Sequence, residues 1–324
     1  MVPGMGTKKV VASDKSSIVG KLPRACTDEA AAVAFIEEQR GWAERPVCPR
    51  CDSKDVYRME TGPGRPLWRC HGCTRQYSAR TGTVFEDSRV PLRHWCYAFW
   101  RACSSKKGAS ALEIKRHTGL TYKSALFLMH RVRFAMTDDA ETTPKLTGTV
   151  EVDETYVGGR ARGPKRGKQY WNARKMQVVA LVQRDGPIKT ITQPFGQQRV
   201  TARTVKDVIR ENVDPSATIY TDEWKGYRHL DREFPAHETV NHGRREYVRG
   251  DVHTNTVENF FGLLKRGIYG TFHSVSRRHL HRYVSEFAFR YNTRKMEDGE
   301  RTALAIKRAE GRRLLYREPV PPVA

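Results

Sequence analysis

Two cysteine pairs constrain this chain more than any other feature. They are Cys48-Pro-Arg-Cys51 and Cys70-His-Gly-Cys73, separated by positions 52–69. A two-residue spacer lets one tight turn aim two thiolates at a single ion, and two such turns complete the tetrahedral shell that zinc prefers. The interval fits a pair of zinc knuckles, so a zinc ribbon is expected over 46–86. Four cysteines close the shell, which leaves His71 superfluous and makes the Zn²⁺ structural. Unrelated or redox-active thiols are the alternative. Cys26, Cys96 and Cys103 lack a partner at ligand spacing and read as small buried hydrophobes. An intracellular, cytoplasmic location is expected, where thiols stay reduced and clustered cysteines suggest metal instead of disulfides. No apolar run approaches the roughly 20 residues that span a bilayer, and the first 17 residues hold no apolar stretch suited to a signal peptide.

Charge points to the partner. The 58 Lys and Arg outnumber the 36 Asp and Glu, a formal excess of +22. A chain this basic suits a polyanion, because each neutralised phosphate releases counterions. A basic protein without such a role, or one at a membrane surface, is the weaker reading. Ala109 to Arg133 fits two short helices about the glycine-containing turn Thr118-Gly-Leu-Thr121. Thr121 is a credible N-cap. It places Tyr122, Lys123 and Ser124 at the start of the second helix, where a helix-turn-helix reaches base edges. His130, Arg131 and Arg133 follow and are expected at phosphates. The alternative is a plain helical hairpin.

Beyond about residue 146 the texture changes. Val150–Val157, Met176–Gln183, Ile188–Phe195 and Thr218–Thr221 read as strands, with a shorter one near His237–Val240. Helices are expected at about 201–212, 255–266 and 276–291. This order indicates a mixed α/β sheet. Three acids stand out within it. Asp153 lies in a strand, with Glu151 on the same face by the period of two. Asp222 ends another strand, and Glu258 lies on a helix with Lys265 two turns further along the same side. Any one alone would read as a surface or capping residue. As a set, three carboxylates from separated segments suit hard Mg²⁺ or Mn²⁺ ions, as two-metal phosphodiester chemistry requires.

At these residues the chain resembles the DDE transposases of bacterial insertion sequences, in the family with an N-terminal zinc ribbon and an ISXO2-like transposase domain. The matching stretches are Glu151-Val-Asp-Glu-Thr-Tyr-Val-Gly-Gly, Tyr220-Thr-Asp-Glu, His253-Thr-Asn-Thr-Val-Glu-Asn-Phe-Phe, Lys265-Arg-Gly and Glu286-Phe-Ala-Phe-Arg-Tyr-Asn. The resemblance runs from about 27 to 300. It implies a ribonuclease-H-like catalytic fold with Asp153, Asp222 and Glu258 as magnesium ligands and Lys265 as the catalytic lysine. It also implies DNA partners, namely the element's terminal inverted repeats and a target, and a homodimer or larger assembly on DNA at the bacterial nucleoid. Glu151, Glu154 and Glu223 are neighbouring acids that could be mistaken for ligands and read as structural or supporting residues. His242, His253 and His273 read as hydrogen-bonding or core histidines.

The expected organisation is a basic lead (1–26), a short helix (27–45), the zinc ribbon (46–86), a helix-turn-helix region (88–137), the ribonuclease-H-like DDE domain (145–300) and a tail (301–324). Further DNA contacts are expected from the acid-free run containing Arg160, Arg162, Lys165, Arg166 and Lys168, and from Arg244 and Arg245. A solvated basic loop is the alternative for each. Two other functions fit part of the pattern: a transposase-derived DNA-binding regulator without catalysis, and a metal-dependent nuclease without strand transfer.

Overall fold

The computed structural model describes residues 18–42, 46–59, 66–138, 143–158, 175–192 and 201–316. The chain divides into two compact units, 1–100 with 298–313, and 101–297 with 314–324.

The first unit contains helices α1 (Ile18–Ala25) and α2 (Glu29–Gln39), then strands β1 (Val56–Met59), β2 (Leu67–Cys70) and β3 (Gln76–Tyr77). The strands form an antiparallel sheet in the order β1-β2-β3. Trp42, Val56, Trp68 and Tyr77 pack with the buried Cys48 and Cys70, so the small core is built around the cysteines. Asp28 caps α2 by accepting from the Ala31 N–H. Helix α3 (Leu92–Ser104) follows, and the boundary between the units falls within it.

The second unit opens with α4 (Ala111–Thr118) and α5 (Tyr122–Ala135). Ser110 caps α4, Gly119 ends it at φ 72°, and the Thr121 hydroxyl accepts from the Ser124 N–H to start α5. Glycine suits that left-handed position because it has no Cβ to clash. The strands β4 (Thr149–Val157), β5 (Met176–Gln183), β6 (Ile188–Thr192), β7 (Thr218–Thr221) and β8 (Ala236–Thr239) form one mixed sheet, ordered β6-β5-β4-β7-β8. The β4–β5 and β5–β6 pairs are antiparallel, and the β4–β7 and β7–β8 pairs parallel. Helix α6 (Ala202–Asn212) lies between β6 and β7 in sequence. After β8 come the short pair β9 (Val248–Arg249) and β10 (Val252–His253), then α7 (Asn255–Gly267) and α8 (Leu280–Asn292). This is the mixed α/β, ribonuclease-H-like arrangement expected.

Strand alternation sorts the core onto two faces. Val178, Ala180 and Val182 of β5 pack with Val257, Phe260, Phe261 and Leu264 of α7 and with Leu280, Val284 and Phe287 of α8. Val179 and Leu181 join Val150, Val152, Ile219 and α6 residues Val205 and Ile209 on the other face. β5 is therefore apolar at almost every position, as a strand covered on both sides must be. Each large side chain buried here contributes about 1.5–3 kcal/mol, so Phe260, Phe261 and Leu264 hold α7 firmly to its sheet face.

α4 and α5, in the region expected at 88–137, fall in the same compact unit as the sheet. Two expectations about organisation need correction. The 301–324 segment is not simply a tail. Helix α9 (Asp298–Lys307) buries Ala303, Ala305 and Ile306, and its residues join the first unit. There, Val84 donates to the Ala309 carbonyl at 3.2 Å, and Arg40 pairs with Glu310 at 2.9 Å. The 1–26 lead likewise contains α1.

Candidate metal centres and catalytic site

The four cysteine sulfurs all lie within 4.8 Å of one another. The Cys48–Cys73 and Cys51–Cys70 sulfurs are 3.7 and 3.5 Å apart. Zinc–sulfur bonds of about 2.3 Å in a tetrahedron require edges near ~3.8 Å, so the cluster already has the dimensions of a zinc shell. Local turns produce it. Asp52 and Thr74, each directly after the second cysteine of a pair, adopt φ of 57° and 59° and reverse the chain. The Cys73 N–H also points at Cys70 Sγ from 3.5 Å. The three remaining cysteines stand apart. Cys96 and Cys103 are buried, and burial pushes the Cys96 thiol well up.

The acids meet on the α7 face of the sheet. Val150 and Val152 face α6, so Glu151 and Asp153 face α7. β4 and β7 run parallel with Glu151 opposite Tyr220. Two more residues along that register set Asp222 beside Asp153, on strands about 4.8 Å apart. Asp153 Oδ1 accepts the Glu154 N–H at 2.7 Å, and Asp222 Oδ1 accepts the Trp224 N–H at 3.0 Å. Glu258 stands in the first turn of α7 and accepts from the Thr254 hydroxyl at 2.9 Å. Lys265 is half-buried in the last turn of the same helix.

Electrostatics shows that these groups share a field. Burial, together with the charges of Asp222, Glu154 and Glu258, pushes the Asp153 carboxyl up to about 8. Asp222 is raised as well, by burial first and then by Glu223 and Glu258. Acids crowded in a half-buried site hold on to protons unless a cation offsets their repulsion. Oxygen donors of this kind suit hard divalent ions, so the residues present fit Mg²⁺ or Mn²⁺. The set is more open than the cysteine cluster, which alone among the described residues gathers three or more such side chains within 4.8 Å.

The neighbours have other duties. Glu154 accepts a 2.5 Å bond from the buried Tyr227 hydroxyl. Glu223 accepts the N–H groups of His242 and Gly243 at 2.8 and 2.9 Å, fixing the turn after β8. That turn brings His242 Nε2 to 3.6 Å from Glu258 Oε1, and its imidazole also lies within electrostatic reach of Asp222. His242 therefore stands between the second and third acids, a placement invisible in sequence because it depends on the Glu223 tether. His253 Nδ1 lies 3.2 Å from Glu151, and His273 adopts φ 58° in the turn after α7.

The basic residues divide. Tyr122 and Lys123 are exposed at the start of α5, with Ser124 half-buried behind the cap. Arg244 and Arg245 are exposed on the His242 turn, whereas Arg249 pairs with Glu238 at 2.7 Å. Arg131 does not reach solvent as expected. It is 4% exposed, and its Nε donates to the Leu314 carbonyl at 3.0 Å. His130 and Arg133 are buried too, because this stretch of α5 packs against α8 instead of facing outward. Arg160, Arg162, Lys165, Arg166 and Lys168 lie outside the described residues.

Residues 27–76 match the transposase zinc-ribbon domain, and residues 145–292 match the ISXO2-like transposase domain. Among curated proteins, the chain is 29% identical over 277 residues to an uncharacterized protein in transposable element ISH50 of Halobacterium salinarum. That match covers 79% of this chain and 91% of the relative. An uncharacterized transposase-like protein of Haemophilus influenzae is 29% identical over 93 residues, covering 29% of this chain and 74% of the relative. No helix among the described residues is long and apolar enough to cross a membrane. With both domains matched in order, around a cysteine cluster of zinc-shell dimensions and a ribonuclease-H-like sheet, the chain carries a transposase zinc-ribbon domain followed by an ISXO2-like transposase domain.

Proposed function

We propose that this transposase cuts and joins DNA at the ends of its own element, using Asp153, Asp222 and Glu258 as the ligands of catalytic Mg²⁺ or Mn²⁺. One observation carries the reading. Acids from β4, from the end of β7 and from α7 converge on one sheet face, where burial first, and then the charges of Asp222, Glu154 and Glu258, push the Asp153 carboxyl up to about 8. Divalent ions held there would activate the attacking oxygen and stabilise the leaving one. Asp153 and Asp222 ride on a rigid sheet, and the Thr254 bond orients Glu258. Lys265, two turns beyond Glu258, is suited to a phosphate near the scissile bond. In this reading water opens the element's ends, and each freed 3′-hydroxyl then attacks target DNA at the same site.

Recognition of the terminal inverted repeats is assigned to the zinc ribbon and to the exposed start of α5, Tyr122, Lys123 and Ser124. Arg244 and Arg245 lie on the same turn as His242, and so near the acids, where a phosphate backbone would run. The Arg160–Lys168 run is retained as a DNA contact on its charge alone. Joining two ends to one target calls for a homodimer or larger assembly on DNA.

The test is divalent-dependent nicking of a plasmid carrying the gene with its native flanks. Nicking at the element's ends, lost in Asp222→Asn and Glu258→Gln while end binding persists, is the expected result. Strand-transfer products separate a transposase from a simple nuclease. A folded, zinc-loaded, DNA-binding protein that never nicks would favour the regulator.

A further inference from the structure

We infer that Glu151 is a positioning residue that fixes Glu258 relative to Asp153 and Asp222; this rests on reading those three acids as the metal site. Glu151 is 0% exposed, two residues before Asp153 on the same face of β4. A carboxylate so placed, without solvent, must be satisfied by the protein. Its hydrogen-bond partners come from the first turn of α7, which carries Glu258, and from Arg184, just after β5.

Oε2 accepts the N–H groups of Thr256 and Val257 at 2.8 and 3.1 Å. Oε1 accepts from the Thr256 hydroxyl at 2.9 Å and from Arg184 Nε at 3.0 Å. Two of the four unpaired N–H groups that begin α7 are thus satisfied from the neighbouring strand, and Thr254 itself makes no side-chain cap. The negative charge also sits where the helix dipole favours it. Arg184 extends the tie. Its guanidinium lies 4.8 Å above the ring of Tyr220 in β7, and Nη2 reaches the His253 carbonyl at 3.4 Å. β4 with Asp153 and α7 with Glu258 therefore meet at one buried carboxylate, and Arg184 links it to β7, which leads to Asp222.

The bonding pattern also argues against Glu151 as a fourth metal ligand. A carboxylate offers about four acceptor sites, and those four bonds occupy them. Val257 immediately precedes Glu258, so the Glu151 bonds set where the first turn of α7 begins. If they are lost, Phe260, Phe261 and Leu264 still hold the body of the helix, but its acid-bearing first turn is released.

The experiment uses the full chain, zinc-loaded and stripped of other divalent ions. Glu151→Gln keeps the shape but turns an NH₂ toward donors. Hydrogen exchange across residues 254–262 is expected to speed up before any metal is added. Mn²⁺ binding, read by the EPR signal of the free ion, is expected to weaken about ten-fold or more, in the range seen when supports of metal ligands are removed. Zinc content and the far-UV circular dichroism of the zinc-loaded protein at the assay temperature should stay near wild type, which a general loss of fold would not allow. Mn²⁺ affinity within two-fold of wild type overturns the inference. If Glu151→Gln does not fold, Thr256→Val decides: it removes one bond to Oε1, a weaker shift in the same direction supports the tie, and no shift overturns it. Asp222→Asn is measured alongside. If it abolishes Mn²⁺ binding while Glu151→Gln leaves it unchanged, only the positioning role fails. If Asp222→Asn also leaves Mn²⁺ binding unchanged, the metal-site reading falls, and this inference with it.

Discussion

Glu286 is fully buried at the centre of the second unit, between two arginines. Arg133 of α5 donates Nε to Glu286 Oε2 at 2.6 Å, and Arg290, one turn along α8, donates Nη1 to Oε1. The side chains of Arg133 and Arg290 are 1% and 6% exposed. The arginines also reach backbone, Arg133 to the Ala109 carbonyl at 3.3 Å and Arg290 to the Ala102 carbonyl at 3.0 Å. Arg133 is further covered by Tyr283, whose ring centre lies 3.9 Å away. One acid thus balances two buried cations and pins α5 to α8. Glu286→Ala strands both guanidiniums out of water, and breaking a buried pair in this way costs roughly 3–5 kcal/mol. For a unit of this size each kcal/mol lowers the midpoint by about 2–4 °C, so a loss of roughly 10 °C is expected. The triad is also imperfectly satisfied: Arg133 Nη1 and Arg290 Nε and Nη2 have no hydrogen-bond partner among the described residues. Replacing all three residues with apolar ones of similar volume (Arg133→Met, Glu286→Leu, Arg290→Met) should therefore restore most of the loss, since such swaps are often neutral or stabilising. The assay is urea and thermal unfolding of zinc-loaded protein, followed by far-UV circular dichroism. A Glu286→Ala protein within about 1 kcal/mol of wild type would refute the reasoning, because a stranded buried charge cannot be that cheap.

Further outcomes follow from the same structure. Cys70→Ser, or a strong chelator, should remove bound zinc and unfold the ribbon around Trp42, Trp68 and Tyr77 while leaving the secondary structure of the second unit; metal analysis and tryptophan fluorescence check it, and unchanged fluorescence in the zinc-free protein would count against a structural ion. Thr121→Ala removes the α5 N-cap and should cost about 1 kcal/mol, with weaker end binding if the start of α5 meets DNA; equal stability and binding would show that the cap is dispensable. His130 is buried and held down to about 3, by desolvation first and then by Arg133, Arg282, His279 and His281. Its folded value lies below the unfolded one near 6.5, so the unfolded chain takes the proton first. The stability it contributes is complete above about pH 6.5 and is lost as pH falls toward 3, by about 2 kcal/mol at pH 5. The difference in urea midpoint between pH 7.5 and 5 should therefore shrink in His130→Leu; an equal difference in both proteins would rule His130 out as the acid-sensitive group.

How much was legible in sequence depended on whether a residue's role was local. The zinc knuckles are set by two-residue spacers, so Cys48, Cys51, Cys70 and Cys73 were found with their partners. The Thr121 cap and the Gly119 turn are equally local, and α5 begins where they place it. Asp153, Asp222 and Glu258 fell into position because strand alternation and a parallel register follow from chain order. Arg131 and Arg133 were misread because charge on a helix ordinarily means solvent, and only α8, 150 residues away, reveals that this face is covered. α9 was missed because it packs on α1 and α2, at the opposite end of the chain. Glu151 and Glu286 are the most instructive pair. Both sit among apolar residues, where an unpaired acid is costly, and both lie in stretches that carried the family resemblance. That cost marks them as needed without saying for what. Periodicity placed Glu151 beside Asp153 and made it a rival ligand. What separates the two is where the donors come from. The Asp153 carboxyl takes one N–H from its own strand and stays near other acids, so its charge is left for a cation. The Glu151 carboxyl is saturated by Arg184, Thr256 and Val257. An acid whose acceptors are filled by distant segments can hold segments together, whereas one left among its own kind keeps its charge for a cation to offset, the role proposed for Asp153.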